Sequence, residues 1–394
     1  MKNLRHFISV LMIILIAVLA AGTVVEKLHG SDVARSQVYS AWWFVALWAV
    51  FGIVAAVLTF RNQNWKRPMA LPLFLSLACI LVGALLTMLT GLHGRMKLEP
   101  NRPTSHFFIQ NGEEITKEAL PFSLTLDRFE IKTYPESSRP MDYVSYLRLT
   151  DGATQQDVVI SMNNILKHRN YRFYQSDYDD QGNSVLEVAR DPWGIAVTYT
   201  GYVLLLVGLL AMLIERRKVM PAVTVAWVVV LVVLMVVLHV RMLTRQLMPV
   251  LRSPLFSIHI STIVTAYALL IGIAVVGLIA VVMRIVKPTD RDILVRLQNV
   301  STAMLYPAVA LLAAGIFIGA VWANISWGNY WSWDPKEVWA LITLLIYTLP
   351  LFSNVLKSFQ KPMFFHIYGI FALLSVAITY FGVNLILGGI HAYN

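Results

Sequence analysis

Five tryptophans, Trp322, Trp327, Trp331, Trp333 and Trp339, fall within the eighteen-residue run WANISWGNYWSWDPKEVW. Indole rings offer broad, rigid apolar faces, so a dense cluster suits a flat hydrophobic ligand lying across it. Asp334, Lys336 and Glu337 lie within the same run and can meet the polar edges of such a ligand. A second reading is an interfacial belt, because tryptophan is enriched at both faces of any bilayer. Of the nine histidines, two bear on the choice: His259, after Ser253-Pro254-Leu255-Phe256-Ser257-Ile258, and His391, in Gly388-Gly389-Ile390-His391-Ala392-Tyr393. Each taken alone reads as a polar tip reaching headgroups or water.

The elements that must position these residues are membrane helices. Hydrophobic residues make up 57% of the chain and charged residues 14%, with a mean hydropathy of +0.64. Apolar runs long enough to cross a hydrocarbon core recur near 7–25, 42–60, 70–92, 194–214, 221–243, 260–284, 302–322, 338–356 and 364–388. The expectation is a polytopic α-helical membrane protein of about nine spans. The first run ends on Ala20-Ala21-Gly22, like a cleavage site, but its length and the spans that follow favour a retained helix. With the N-terminus inside, fourteen Lys and Arg fall in the cytoplasmic loops, at positions 2–5, 61–67, 216–218, 284–296 and 357–361. The opposite short loops hold six, Lys27, Arg35, Arg241, Arg245, Arg252 and Lys336, a positive-inside bias. The net charge of +10 is accounted for by anchoring on anionic lipid, without nucleic acid. Parity then puts His259, His391 and the tryptophan run at the outer face. Two imidazoles flanking an aromatic platform suit a metalloporphyrin, whose iron takes axial nitrogens while its ring stacks on indoles.

Residues 94–192 are polar and alternate as strands do: Phe122, Leu124 and Leu126, then Phe129 and Ile131, with further pattern over 143–149 and 185–188. Asp179-Asp180-Gln181-Gly182-Asn183 reads as a turn. A small β-rich domain on the outer face is expected. The single cysteine, Cys79, lies in an apolar span and reads as a packing residue. No CxxC or CxxCH is present, which argues against covalent haem attachment to this chain and against a dithiol redox centre.

The run Trp327-Gly328-Asn329-Tyr330-Trp331-Ser332-Trp333-Asp334-Pro335-Lys336-Glu337 closely resembles the WWD signature of haem-handling proteins in cytochrome c biogenesis. Phe381-Gly382-Val383-Asn384 through Gly389-Ile390-His391-Ala392-Tyr393 resembles the end of the CcsA (ResC) branch of that superfamily. Ser161-Met162-Asn163-Asn164, Tyr171-Arg172-Phe173-Tyr174-Gln175-Ser176, Asp191-Pro192-Trp193-Gly194 and Val38-Tyr39-Ser40-Ala41-Trp42-Trp43-Phe44 are similar to its CcsB (ResB) partner. The resemblance covers nearly the whole chain, as a compact CcsB–CcsA fusion with its seam near 215–220. It implies CcsB-like helices over 1–93, a periplasmic β-rich domain over 94–192, a fourth helix over 193–218 and a CcsA-like haem-handling domain over 219–394.

The resemblance further implies a system II cytochrome c synthase of the bacterial inner membrane. Such a protein holds haem b on the outer face and presents it for thioether attachment to a CxxCH apocytochrome c, with a thiol-reducing partner. By resemblance, His259 and His391 are the axial ligands, and Trp322, Trp327, Trp331, Trp333, Asp334 and Lys336 bind the cofactor. The alternatives are a haem exporter or haem chaperone without ligase activity, and a membrane scaffold anchored by its tryptophans. One departure stands out. Where the family carries two histidines inside the bilayer, this chain has Leu75 and Phe352, which cannot bind iron. His239 and His366 remain to take such a role; the simpler reading is a buried polar residue and a headgroup contact, in that order.

Overall fold

The computed structural model describes residues 2–61, 66–111, 114–216, 221–244, 246–353 and 356–387. Helices form where apolar runs leave the backbone no partner but itself, as hydrocarbon demands. They are α1 (Lys2–His29), the short α2 (Ser31–Ala34), α3 (Trp42–Arg61), α4 (Ala70–Thr90), α5 (Gly194–Glu215), α6 (Pro221–Thr244), α7 (Pro254–Val286), α8 (Arg291–Trp327), α9 (Pro335–Thr348) and α10 (Pro362–Ala377). The last continues as a π-helical stretch over Ile378–Leu387. Among the described residues, eight helical spans are long and apolar enough to cross a membrane. The remaining expected span falls on α6, whose apolar stretch as described is Val228–Arg241.

Between α4 and α5 the chain builds eight strands: β1 (Leu92–Leu98), β2 (Pro103–Asn111), β3 (Glu114–Thr133), β4 (Pro140–Asp151), β5 (Thr154–Ser161), β6 (Leu166–His168), β7 (Tyr171–Tyr178) and β8 (Ser184–Arg190). They form one antiparallel sheet in the order β5-β4-β3-β2-β1-β8-β7-β6, curled like a barrel around Met96, Leu98, Phe107, Leu124, Leu126, Phe173 and Leu186. The change of phase in β3 has a local cause. A bulge against β4 between Leu126 and Arg128 turns the strand over, so Phe122, Leu124 and Leu126 face the core. Past the bulge, Phe129 leaves that core and stacks on Tyr178, with ring centroids 5.1 Å apart. The expected turn joins β7 to β8: the Asp179 carboxylate accepts from the amides of Gln181 and Asn183, each at 3.0 Å.

The sheet is mounted on two helices. Gly194, Gly201 and Gly208 recur every seventh residue on α5, and a Cβ at each would run into Thr87, Ile80 or Leu73 of α4. This seam of small residues lets the two backbones touch, as membrane helix pairs do. Because α4 leads into β1 and β8 leads into α5, the pair also explains why the first and last long strands lie side by side. Leu92 of β1 pairs with Arg190 of β8. A separate membrane core joins α7, α8, α9 and α10 through Leu269, Leu270, Ile273, Leu305, Leu312, Tyr347 and Phe365.

Candidate functional site

The tryptophan loop runs from the end of α8 to the start of α9. Gly328 ends α8 in the left-handed region, at φ 88°. No side chain would fit there, since a Cβ would lie 2.9 Å from the ring of Tyr174 on β7. Asp334 starts α9 as its N-cap, accepting from the Lys336 amide at 2.9 Å, and Pro335 occupies the first turn. Glu337 reaches back so that its carboxylate accepts from the Ser332 amide at 2.9 Å. Thus Asp334, buried to 3% exposure, and Glu337 build the loop's exit. Lys336 extends to the π-helical stretch, where its Nζ donates to Asn384 Oδ1 at 2.8 Å.

His259, in the second turn of α7, faces α8. Its Nδ1 donates to the Gly315 carbonyl at 2.8 Å, so the neutral ring carries its proton there and its lone pair on Nε2. Gly319, one turn further along α8, makes room: a Cβ on it would fall 2.6 Å from the imidazole. The ring lies nearly parallel to the indole of Trp322, at 19° with centroids 6.4 Å apart. Trp322 in turn meets Phe256 at 4.9 Å and Trp327 at 5.0 Å. The sequence placed His259 beside the tryptophans; it did not single out Gly315 and Gly319, whose four-residue spacing is the only local signal of a niche for the ring.

The far side of the loop rests on the N-terminal helices. Trp333, itself at φ 62°, stacks on Tyr39 with centroids 4.8 Å apart and planes at 5°. It also meets the edge of Phe44 at 5.4 Å and Trp331 at 5.8 Å. Trp339 donates from Nε1 to Thr23 of α1 at 3.2 Å. The β-domain supplies further contacts. Asn163 donates to the carbonyl of Pro249 at 3.1 Å and accepts from Ser326 of α8 at 3.1 Å. Asn324, buried near the end of α8, has Gly328 O, Arg172 of β7 and the Tyr199 hydroxyl as its amide partners. Tyr330 donates to Thr87 of α4 at 2.9 Å, and Thr87 to Asp191 at 2.6 Å. Three of the four segments compared with the CcsB branch therefore touch the loop or the end of α8, through Tyr39 and Phe44, through Asn163, and through Arg172 and Tyr174; the fourth, through Asp191, holds Thr87.

His391 lies outside the described residues; His259, Trp322 and Trp327 form one cluster, Trp331 and Trp333 meet on the side facing Tyr39, and Asp334 and Lys336 stand at the loop's exit. Leu75 and Phe352 are on helix surfaces, 40% and 52% exposed. The other two histidines exchange their expected surroundings. His366 is buried where α10 packs on the start of α8, with Nε2 donating to the Leu294 carbonyl at 3.3 Å. His239 is exposed and lines an open groove of about 340 Å³ with Met235, Pro254, Ser257 and Ile258. The reason is helix crossing: α10 lies against α7 and α8, whereas α6 packs along the outside of the bundle.

Residues 193–391, half of the chain, match the family of cytochrome c assembly proteins, and residues 63–185 match the ResB-like family. The chain belongs to the cytochrome c assembly protein family and is a multi-pass membrane protein that joins a ResB-like part to a CcsA-like part. It is 44% identical over 111 residues to the cytochrome c biogenesis protein CcsA of Pyropia yezoensis, across 28% of this chain and 34% of the relative. The CcsA of Chlamydomonas reinhardtii is 37% identical over 154 residues, 37% of this chain and 42% of its own length. Protein NrfI of Wolinella succinogenes is 37% identical over 152 residues, 37% of this chain and 17% of its own. In each case the match takes in less than half of the relative's length.

Proposed function

We propose that this protein binds haem b at the outer, periplasmic face of a bacterial inner membrane and presents it for thioether attachment to the CxxCH cysteines of an apocytochrome c. The observation that carries the reading is the setting of His259. Its Nδ1 proton is committed to Gly315, which leaves the lone pair on Nε2, and the ring lies along the indole of Trp322. A carbonyl that fixes the tautomer of an imidazole is the usual support of a metal-ligating histidine. The donor set suits an iron porphyrin in a second respect. The buried Nε1 atoms of Trp322 and Trp331 have no hydrogen-bond partner among the described residues. A buried unpaired donor costs about 1–3 kcal/mol, and a ligand with polar edges relieves that cost.

On this reading haem is substrate. His259 and His391 would ligate the iron, the tryptophans would hold the ring, and Lys336, whose Nζ donates to Asn384, would supply a positive charge for an acidic edge. The vinyl groups are the reacting part of haem. A cysteine S–H adds across each, forming a C–S bond and moving the thiol proton to the neighbouring carbon, so no oxidant or reductant is consumed. The chain contributes proximity and orientation rather than a nucleophile, which agrees with Cys79 lying in α4. A thiol-reducing partner would keep the incoming cysteines free.

The test is an optical spectrum of the purified protein beside His259→Gly and His391→Gly, together with maturation of a CxxCH reporter in a host lacking its own assembly system. We expect a bis-histidine haem spectrum in wild type, its loss in both variants, and partial recovery with imidazole. Unchanged spectra in both variants would remove the axial assignment. Bound haem without reporter maturation would favour a haem exporter or chaperone.

A further inference from the structure

The tryptophan loop is held by side chains rather than by its own backbone. Residues 329–333 make no backbone-to-backbone hydrogen bond among the described residues. With regular structure absent, the loop's position depends on side-chain contacts: Tyr174 against Gly328, Tyr330 on Thr87, Trp331 against the membrane core, Glu337 on Ser332 and Trp333 on Tyr39. Ser332 bonds the carboxylate of Glu337 within the loop's own exit, whereas Tyr330 reaches a carboxylate in the other part of the protein. The Tyr330 hydroxyl donates to Thr87 Oγ1 at 2.9 Å, and Thr87 Oγ1 donates to Asp191 Oδ2 at 2.6 Å. The other oxygen of Asp191 accepts from the Gly194 amide at 2.7 Å, at the first residue of α5. Each hydroxyl polarises the next, so bonds in such a chain strengthen one another.

The chain is also placed where the two parts of the protein meet. Thr87 is near the end of α4, Asp191 closes the sheet after β8, and the close approach of Gly194 to Thr87 leaves the hydroxyl little freedom. Tyr330 comes from between Trp327 and Trp331. Burial pushes its phenol up, so it stays protonated, and because Thr87 spends its own proton on Asp191, Tyr330 is the donor between them.

We propose that Tyr330 is a positioning residue: the chain Tyr330–Thr87–Asp191 sets where the tryptophan loop lies relative to the sheet's mounting, and so sets the ligand site from the ResB-like side. Tyr330 acts through the loop and needs no contact with the ligand. The consequence for haem rests on the function proposed above; the consequence for the loop does not.

The experiment uses the full-length protein in detergent, as wild type, Tyr330→Phe, Thr87→Val, Thr87→Ser and the Tyr330→Phe/Thr87→Val double variant. Near-UV circular dichroism of the haem-free protein reads the packing of the tryptophans, and haem titration reads the site. Losing one neutral hydrogen bond should weaken haem binding about fivefold. We expect that loss, with a reduced tryptophan signal, in Tyr330→Phe and in Thr87→Val. The double variant should be no worse than either single one, and Thr87→Ser, which keeps the hydroxyl, should match wild type. Tyr330→Phe leaves the Thr87–Asp191 bond intact, so its fold is retained even if Thr87→Val unfolds. A Tyr330→Phe protein with wild-type dichroism, or losses that multiply in the double variant, would overturn the proposal. If wild type binds no haem, the proposed function fails, and the dichroism series still decides the role of Tyr330.

Discussion

His259 illustrates how little of a ligand site is carried by the ligand residue itself. Its ring is placed by what its neighbours lack: two glycines on α8 let the imidazole lie against that helix, with the Gly315 carbonyl as its acceptor. The position of Gly319 yields a prediction at this scale. Alanine there favours helix by about 0.8–1.0 kcal/mol, so the isolated helix should gain. Its Cβ, however, would fall 2.6 Å from the imidazole and must displace it. Gly319→Ala is expected to keep protein level and melting temperature while lowering haem occupancy several-fold. A parallel fall in melting temperature and occupancy would instead mark Gly319 as a packing residue. Asn324 makes the same point for the β-domain, since its partners come from β7, α5 and the loop, segments far apart in the chain.

At the scale of elements, the start of α9 decides how the tryptophan loop ends. The run Asp334-Pro335-Lys336-Glu337 contains a helix-start signal, with a capping carboxylate, proline in the first turn and an acid three residues after the cap. A ligand-binding reading and a capping reading both fit those letters, and the geometry supplies the second directly. Asp334→Ala should therefore lower the stability of haem-free protein by about 1 kcal/mol, whereas Asp334→Asn, still a good cap, should cost little. Thermal melts of the two variants check this; equal losses in both would mean that the charge, not the cap, matters. The β3 bulge is a further element-scale device. It accounts for a break in alternation that the sequence displays without its cause.

At the scale of the molecule, the sheet, the N-terminal helices and the α7–α8 pair converge on one loop. Asn163 is the most connected of these contacts, bonding the 249–252 linker and the buried Ser326 hydroxyl together. Asn163→Ala leaves those groups unpaired, at about 1–3 kcal/mol for each that stays buried. The expected outcome is faster tryptic cleavage after Arg252 with the sheet itself intact, followed by gel electrophoresis. Unchanged cleavage would mean that Tyr134, whose hydroxyl donates to Leu247 O at 3.0 Å, suffices to hold the linker. Leu75 and Phe352, by contrast, lie exposed on helix surfaces.

The sequence alone determined the membrane helices, the strand domain, the tryptophan loop and the candidacy of His259. Each of these depends on local periodicity, composition or motif, and such signals are written in neighbouring residues. Only the tertiary structure decided which residues hold the loop, and that His366 is buried while His239 is exposed. Those outcomes come from contacts between segments distant in the chain, such as Tyr330 with Thr87 or Trp333 with Tyr39. The packing of α5 on α8 and of α1 on α9 brings such segments together, and no single stretch of sequence contains both sides.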